Sequence, residues 1–328
     1  MFDYHAPWWL PGGNLQTIWP ALVAQRFSGV PPRFTRERWP TPDGDFVDVD
    51  WLDHESVRPG LVEGPLLVLF HGLEGSSQSH YSQAFADFAG QRGLRFAIPH
   101  FRGCSGELNL GPRAYHSGDH EEIGWMLQRL RAVHEGPILA VGVSLGGNAL
   151  MRWAGEWGDE AARVLHAAAA VCSPLDLAAG SVAIGRGFNR LVYTTMFLHT
   201  MKPKALAKLE QHPGLFDRQR LEGASDLYEF DDVFTAPLHG FRNADDYYAR
   251  ASAKFHLHRV RIPALLLNAL NDPFVPAASL PGAAGVSPTV TLWRPAEGGH
   301  VGFPDGHLPG HVRRMPDEVG RWLLHTLG

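Results

Sequence analysis

Only two cysteines, Cys104 and Cys172, occur in 328 residues, and no C-x-x-C spacing joins them. That excludes a disulfide framework and leaves no zinc or dithiol motif, a usage that fits a reducing cytoplasm. Long apolar runs are missing too. The richest stretch, residues 137–151, is punctuated by glycine and contains Ser144 and Asn148, whereas a membrane-spanning helix needs about eighteen or more consecutive apolar residues. No transmembrane segment is expected. The first ten residues carry Asp3, His5 and Pro7 where a secretory signal would need a basic start and an apolar run, so no such signal is expected. Nor does charge of one sign accumulate. Lys and Arg total 29 against 34 Asp and Glu, a net charge of −5, and the charges are scattered. Nucleic-acid binding needs a basic stripe, and none is present.

What remains is a globular composition, 45% hydrophobic and 19% charged, long enough for two domains or one large α/β domain with an insertion. Residues 1–64 read as an arm rich in Pro, Trp and Gly, followed by two short strand-like runs, 33–39 and 46–51. Thr41-Pro42-Asp43-Gly44 separates them, a hairpin signal, so this unit should pack on the core. From residue 65 the pattern becomes short buried strands alternating with amphipathic helices: strands at 66–70, 94–99, 138–143 and 164–172, and helices near 78–92, 119–134 and 145–157. That is the pattern of a mostly parallel sheet flanked by helices. It lapses over residues 176–255, where helical fragments are broken by glycine and proline, and resumes with strands at 264–269 and 289–293 and a helix at about 316–327. The expected organisation is a core of 65–175 and 256–328 with a helical insertion at 176–255.

The strongest chemical signal is Gly142-Val143-Ser144-Leu145-Gly146-Gly147, a G-x-S-x-G element with a strand before it and a helix after it. Small glycines permit the sharp turn that leaves a serine hydroxyl exposed, so Ser144 is the candidate nucleophile. A serine hydroxyl needs a histidine to take its proton and a carboxylate to orient that histidine. Asn271-Asp272-Pro273 follows the strand at 264–269, at the sheet edge where α/β proteins carry functional side chains. Asp272 is the candidate acid, although by itself an aspartate before proline serves equally as a turn residue. His300 is the candidate base, in Gly298-Gly299-His300-Val301-Gly302-Phe303, between the last strand and the last helix. An oxyanion intermediate needs two backbone N–H donors. These are expected from Leu145, just after the nucleophile, and Leu73, within His71-Gly72-Leu73-Glu74-Gly75, where His71 reads as loop structure. His307 and His311 stand at i, i+4 spacing, but no third ligand or zincin motif joins them, so neither a metal nor another cofactor is expected. Arg102 is read as a brace between loops, and Asp231-Asp232 and Asp245-Asp246 as solvated charges.

Taken in order, these segments resemble the YheT-like branch of the α/β-hydrolase superfamily. The resemblance takes in Gly13-Asn14-Leu15-Gln16-Thr17, His71–Gly75, Phe101-Arg102-Gly103-Cys104-Ser105-Gly106, Tyr115-His116-Ser117-Gly118, Gly142–Asn148, Asp246-Tyr247-Tyr248 and Gly298–Phe303, and so covers most of the chain. It implies an α/β-hydrolase fold and a serine hydrolase with Ser144, Asp272 and His300 as its triad. Members generally carry esterase assignments; some eukaryotic relatives act on phospholipids and commonly add a membrane anchor, and fungal relatives make and cleave medium-chain esters. One departure is Asn271, where two consecutive acidic residues would be expected.

The resulting expectation is a metal-independent carboxylic ester hydrolase for short-to-medium acyl chains, its partner a small or lipid-like ester, with oligomeric state open. An acyltransferase on the same triad is the nearest rival; a non-catalytic ligand receptor on a hydrolase scaffold is the remoter one. The insertion is tethered at both ends beside the catalytic edge, which predicts a lid over Ser144. Within it Phe188, Leu191, Val192 and Met196 fall at i, i+3, i+4 and i+8 and are expected to line an acyl pocket.

Overall fold

A computed structural model describes residues 2–53 and 64–328; the expected arm unit thus lies partly outside the described residues. Eight strands form one sheet: β1 (Phe34–Pro40), β2 (Phe46–Leu52), β3 (Leu66–Phe70), β4 (Arg95–Pro99), β5 (Ile138–Val143), β6 (Ala167–Val171), β7 (Ala264–Leu267) and β8 (Val290–Trp293). Their spatial order is β1-β2-β4-β3-β5-β6-β7-β8. The β1–β2 and β2–β4 pairs are antiparallel, and every later pair is parallel. The predicted hairpin is therefore part of the main sheet, at its edge, rather than a unit packed against it. Its turn closes with Gly44 in the left-handed region at φ 79° and Thr41 N donating to Asp45 O at 3.0 Å.

β3, β5 and β6 are buried along their whole length, as parallel strands covered on both faces must be. Alternation of side chains divides them between two cores. Leu66, Val68 and Phe70 face one cluster, where α3 (His120–Val133) contributes Ile123, Met126, Leu127 and Leu130, and α4 (Leu145–Trp157) contributes Leu150 and Trp153. Leu67 and Leu69 face the other, with Phe85 and Phe88 of α2 (His80–Gln91) and Met315, Val319 and Leu323 of a last helix, Arg314–His325. Burying a Leu or Phe contributes about 1.5–3 kcal/mol, so these two layers anchor the sheet whose carboxyl edge carries the site.

The arm and the region 176–255 carry detail beyond the expected pattern. The arm contains a helix, α1 (Gly13–Leu22), which lacks a side-chain cap and carries Pro20 inside it; those are poor local signals, and the helix exists because Gln16 and Thr17 are buried against the loops of the site. The region 176–255 is helical but uneven. It holds α5 (Leu177–Ile184), α6 (Thr195–Gln211) and α7 (Ala244–Ala251), with shorter turns between them. Asp176 caps α5 by accepting from Ala179 N at 3.1 Å, and Asn243 caps α7 by accepting from Asp246 N at 2.9 Å. Arg190–Thr194 and Asp231–Thr235 are π-helical, a wider turn that shifts the face presented by everything downstream.

Candidate active site

The strand order reverses direction between β3 and β5, and α/β sheets bind ligands in the crevice that such a reversal opens at the strands' carboxyl ends. Ser144 sits there, immediately after β5 and before α4, with φ 52° and ψ −117°. A non-glycine residue in that region is strained, and the neighbours enforce it. A Cβ on Gly146 would overlap the Phe70 carbonyl, and one on Gly147 would overlap Ser173 Oγ. The turn is thus closed by a backbone carbonyl on one side and the Ser173 hydroxyl on the other, and the serine hydroxyl is left facing the crevice.

Distant loops converge on it. His300 Nε2 lies 2.9 Å from Ser144 Oγ, and His300 Nδ1 donates to Asp272 Oδ2 at 2.9 Å. With Nδ1 carrying the proton toward a carboxylate, Nε2 is left as the acceptor facing the serine. Asp272 is itself fixed, its Oδ1 accepting from Phe274 N at 2.8 Å and Val275 N at 3.2 Å. One oxygen of Asp272 thus serves the turn, and the other meets His300. The Phe274 ring packs on the imidazole, with centroids 4.2 Å apart.

The arm locks this arrangement. His300 N donates to Thr17 Oγ1 at 2.8 Å. Gln16 Oε1 accepts from Asn271 Nδ2 at 2.8 Å and from Gly298 N at 2.9 Å, while Gly299 N donates to Asn271 Oδ1 at 3.0 Å. Asn271 thus donates to the arm and accepts from the histidine loop, a pairing that an aspartate could not make. No local pattern marks Gln16, Thr17 or Asn271 for this work; the one sequence signal for the first two is the Gly13–Thr17 motif.

Leu73 and Leu145 are brought to the same place. Leu145 opens α4, so its amide belongs to the turn of helix N–H groups without an intrahelical acceptor. A Cβ on Gly72 would stand 3.2 Å from Ser144 Cβ, so the loop carrying Leu73 runs directly past the serine. The amides flanking Leu73 are engaged: Gly72 N donates to Tyr81 Oη at 2.9 Å, Glu74 N to Tyr115 Oη at 3.0 Å and Gly75 N to Gly72 O at 2.9 Å. His71 is structural, donating from Nδ1 to Gly72 O and accepting from Phe101 N at Nε2; burial pushes its pKa down to about 3, so it stays neutral.

A cavity of about 170 Å³ opens from Ser144, Leu145 and His300 beneath the helical region, bounded by Ile184 of α5 and by Phe197, Met201 and Ala205 of α6. The expected stripe does not line it. Phe188, Leu191 and Met196 are 50%, 76% and 52% exposed, Val192 is half-buried, and none of the four borders the cavity. The reason is how this stretch docks: Asn189 Nδ2 donates to Pro273 O, Tyr193 and Phe197 pack on Phe274, and Met201 and Ala205 border the cavity, at steps of four, which leaves the neighbouring stripe facing outward. Asp231 is a second correction. Rather than being solvated, it borders the cavity, accepting from Thr235 Oγ1 at 2.6 Å and Tyr248 Oη at 2.8 Å, and burial pushes its pKa up to about 6. Arg102 braces loops, donating to Glu122, Asp43 and Asp45.

The model of the alpha/beta hydrolase fold matches residues 65–307. The chain belongs to that family. The hydrolase is 37% identical to YheT, a candidate esterase of Escherichia coli (strain K12), over 96% of this chain and 91% of that protein, which places it in the YheT-like branch. It is 32% identical to mouse phospholipase ABHD3 over 90% of this chain and 72% of that protein. Among solved structures, an esterase of Pyrococcus furiosus, Pf2001, shares the fold with a TM-score of 0.56 at 14% identity, over 92% of this chain and 96% of that one.

Among the described residues one trio, Cys172, Asp272 and His300, brings a potential ligand atom from each within 4.8 Å of the others. All three are already engaged: the sulfur accepts from Val301 N at 3.3 Å, and Asp272 and His300 bond to one another, with His300 reaching Ser144. His307 is exposed and His311 half-buried, outside that trio. No helix among the described residues is long and apolar enough to cross a membrane.

Proposed function

We propose that this hydrolase cleaves carboxylic esters through an acyl-enzyme, with Ser144 as nucleophile, His300 as proton shuttle and Asp272 as the group that orients the imidazole. The observation carrying this reading is the unbroken line Asp272 Oδ2, His300 Nδ1, His300 Nε2, Ser144 Oγ, with both gaps at 2.9 Å. As Ser144 Oγ bonds to the acyl carbon, its proton passes to His300 Nε2, and Asp272 stabilises the imidazolium. The carbonyl oxygen becomes an oxyanion between the Leu73 and Leu145 amides. Collapse breaks the C–O bond to the alcohol, which leaves with the proton from His300. Water then repeats the cycle, with His300 as base, and releases the acid. No step requires a metal or organic cofactor.

The helical region 176–255 acts as a lid, and the acyl chain runs along Ile184, Phe197 and Met201. The cavity is in the size class that admits a benzene-sized guest, which favours short-to-medium chains. An ester of lipid-like character suits the apolar walls, as does the kinship with a phospholipase. Both cysteines are free and buried, in keeping with work in a reducing cytoplasm.

The test is a fluorophosphonate label combined with ester hydrolysis across acetyl to palmitoyl substrates. The wild-type protein should label at Ser144 and hydrolyse butyryl to octanoyl esters best, with EDTA without effect. Failure of both labelling and hydrolysis would refute the reading. Added ethanol diverting most product to ethyl ester would make the protein an acyltransferase.

A further inference from the structure

Glu74 directly follows Leu73 and is held at φ 56°, a left-handed conformation that a glutamate adopts only under constraint. The constraint is visible. Glu74 N donates to Tyr115 Oη, and Tyr115 Oη donates back to Glu74 Oε1 at 2.8 Å, closing a ring around the residue. The other carboxylate oxygen, Oε2, accepts from Lys204 Nζ at 2.8 Å. Lys204 lies on α6, in the helical insertion, and the contact crosses from the insertion to the loop beside Ser144. Tyr115 cannot follow Glu74 if the carboxylate moves, because its ring stacks on Phe101, centroids 5.6 Å apart at 14°. On the opposite side the loop is pinned by His71 and Phe101, so only the Glu74 side depends on the insertion.

We propose that Lys204 is a positioning residue for ester cleavage: through Glu74 it fixes the Leu73 amide in its oxyanion-binding direction. This rests on the reading of Ser144 and Leu73 above. Side chains at the rim contribute little to stability as ion pairs, and the Lys204 side chain is 40% exposed. The consequence of the pair is therefore geometric. A hole donor matters only when the carbonyl oxygen becomes charged, so its displacement lowers kcat and leaves ground-state binding alone.

Lys204→Met, Lys204→Arg and Glu74→Gln are compared with wild type on a matched pair of short esters, one with an oxygen carbonyl and one with a thiocarbonyl. Sulfur accepts hydrogen bonds weakly, so the thionoester reports chemistry that leans little on the hole. We expect Lys204→Met to lower kcat on the oxoester about tenfold, a fraction of the 10²–10³ for losing a hole donor outright. KM should stay within about twofold, the thionoester should be barely affected, and Lys204→Arg should restore most of the loss. The double variant Lys204→Met with Glu74→Gln should be no worse than Glu74→Gln alone. Equal losses on both esters, a change confined to KM, or wild-type kcat in Lys204→Met would each overturn the proposal while leaving Ser144 untouched. Should Lys204→Met lose its fold by circular dichroism, Glu74→Gln carries the same comparison. Hydrolysis surviving in Ser144→Ala would instead overturn the reading on which the proposal rests.

Discussion

The two walls of the site are built on different principles. Below lies the sheet edge, where Ser144 is locked by close contacts at Gly146 and Gly147, Asp272 is held by the Phe274 and Val275 amides, and the His300 amide is held by the Thr17 hydroxyl of the arm. Above lies the helical insertion, with small apolar clusters of its own, one around Leu198, Leu221, Phe230 and Phe234 and one around Tyr247 and Tyr248. It meets the lower wall through Tyr193 and Phe197 packed on Phe274 and through polar tethers: Asn189 Nδ2 to Pro273 O at 2.7 Å, Tyr193 Oη to Asn14 Oδ1 at 2.9 Å, and Lys204 to Glu74. The lower wall admits almost no change without loss of geometry, whereas the upper wall admits side-chain exchange. Reaction type should follow from the first and chain-length preference from the second.

The sharpest way to break this division is Ser144→Ala, which should remove hydrolysis by several powers of ten while leaving the thermal transition in place. Asp272→Asn should cost roughly 10⁴ in kcat, by analogy with the serine-protease triad, and pairing it with Ser144→Ala should add little. Kinetics with a purified, inactive-control preparation check this.

Next in size is Gln16→Ala. It strips the acceptor shared by Asn271 and Gly298, leaving buried donors unpaired at about 1–3 kcal/mol each. The melting temperature should fall, and kcat should fall roughly 10–10²-fold as the acid and histidine loops drift apart. A Gln16→Ala protein with wild-type kcat would mean that the lower wall needs no arm.

The upper wall is sharpened by comparing Phe197→Ala and Met201→Ala with Leu191→Ala. Each buried methylene is worth about 0.8 kcal/mol, so the first two should shift the preferred acyl length by one or more carbons in a kcat/KM profile. Leu191→Ala should leave that profile unchanged, because its side chain faces solvent.

The smallest effect concerns Asp231. Its pKa of about 6 lies above the unfolded value of 3.8, so the native state holds the proton more tightly, and stability present while it is protonated is lost as pH rises between about 4 and 6. At about 1.36 kcal/mol per unit the full cost is on the order of 2–3 kcal/mol. Asp231→Asn should therefore gain in melting temperature relative to wild type across that window and hold the difference above it; parallel melting curves from pH 4 to 7 would refute this.

Local sequence determined the elements whose signal is short-range. Ile138–Val143 and Leu145–Trp157 were legible residue for residue, because a buried strand, a glycine-bounded turn and an amphipathic helix each depend on near neighbours. Ser144, Asp272 and His300 could be picked out as candidates for the same reason, each following the carboxyl end of a legible strand. The tertiary structure alone decided the rest. Helix α1 forms without a cap because Gln16 and Thr17 find partners more than 250 residues away. The inward face of the stretch leading into α6 was decided by docking of Asn189, Tyr193 and Phe197 on the loop that carries Asp272, a partner that a count along the helix does not reveal. Glu74 and Lys204 meet because the insertion folds back over the sheet, and no spacing in the sequence records how far a helix reaches across space.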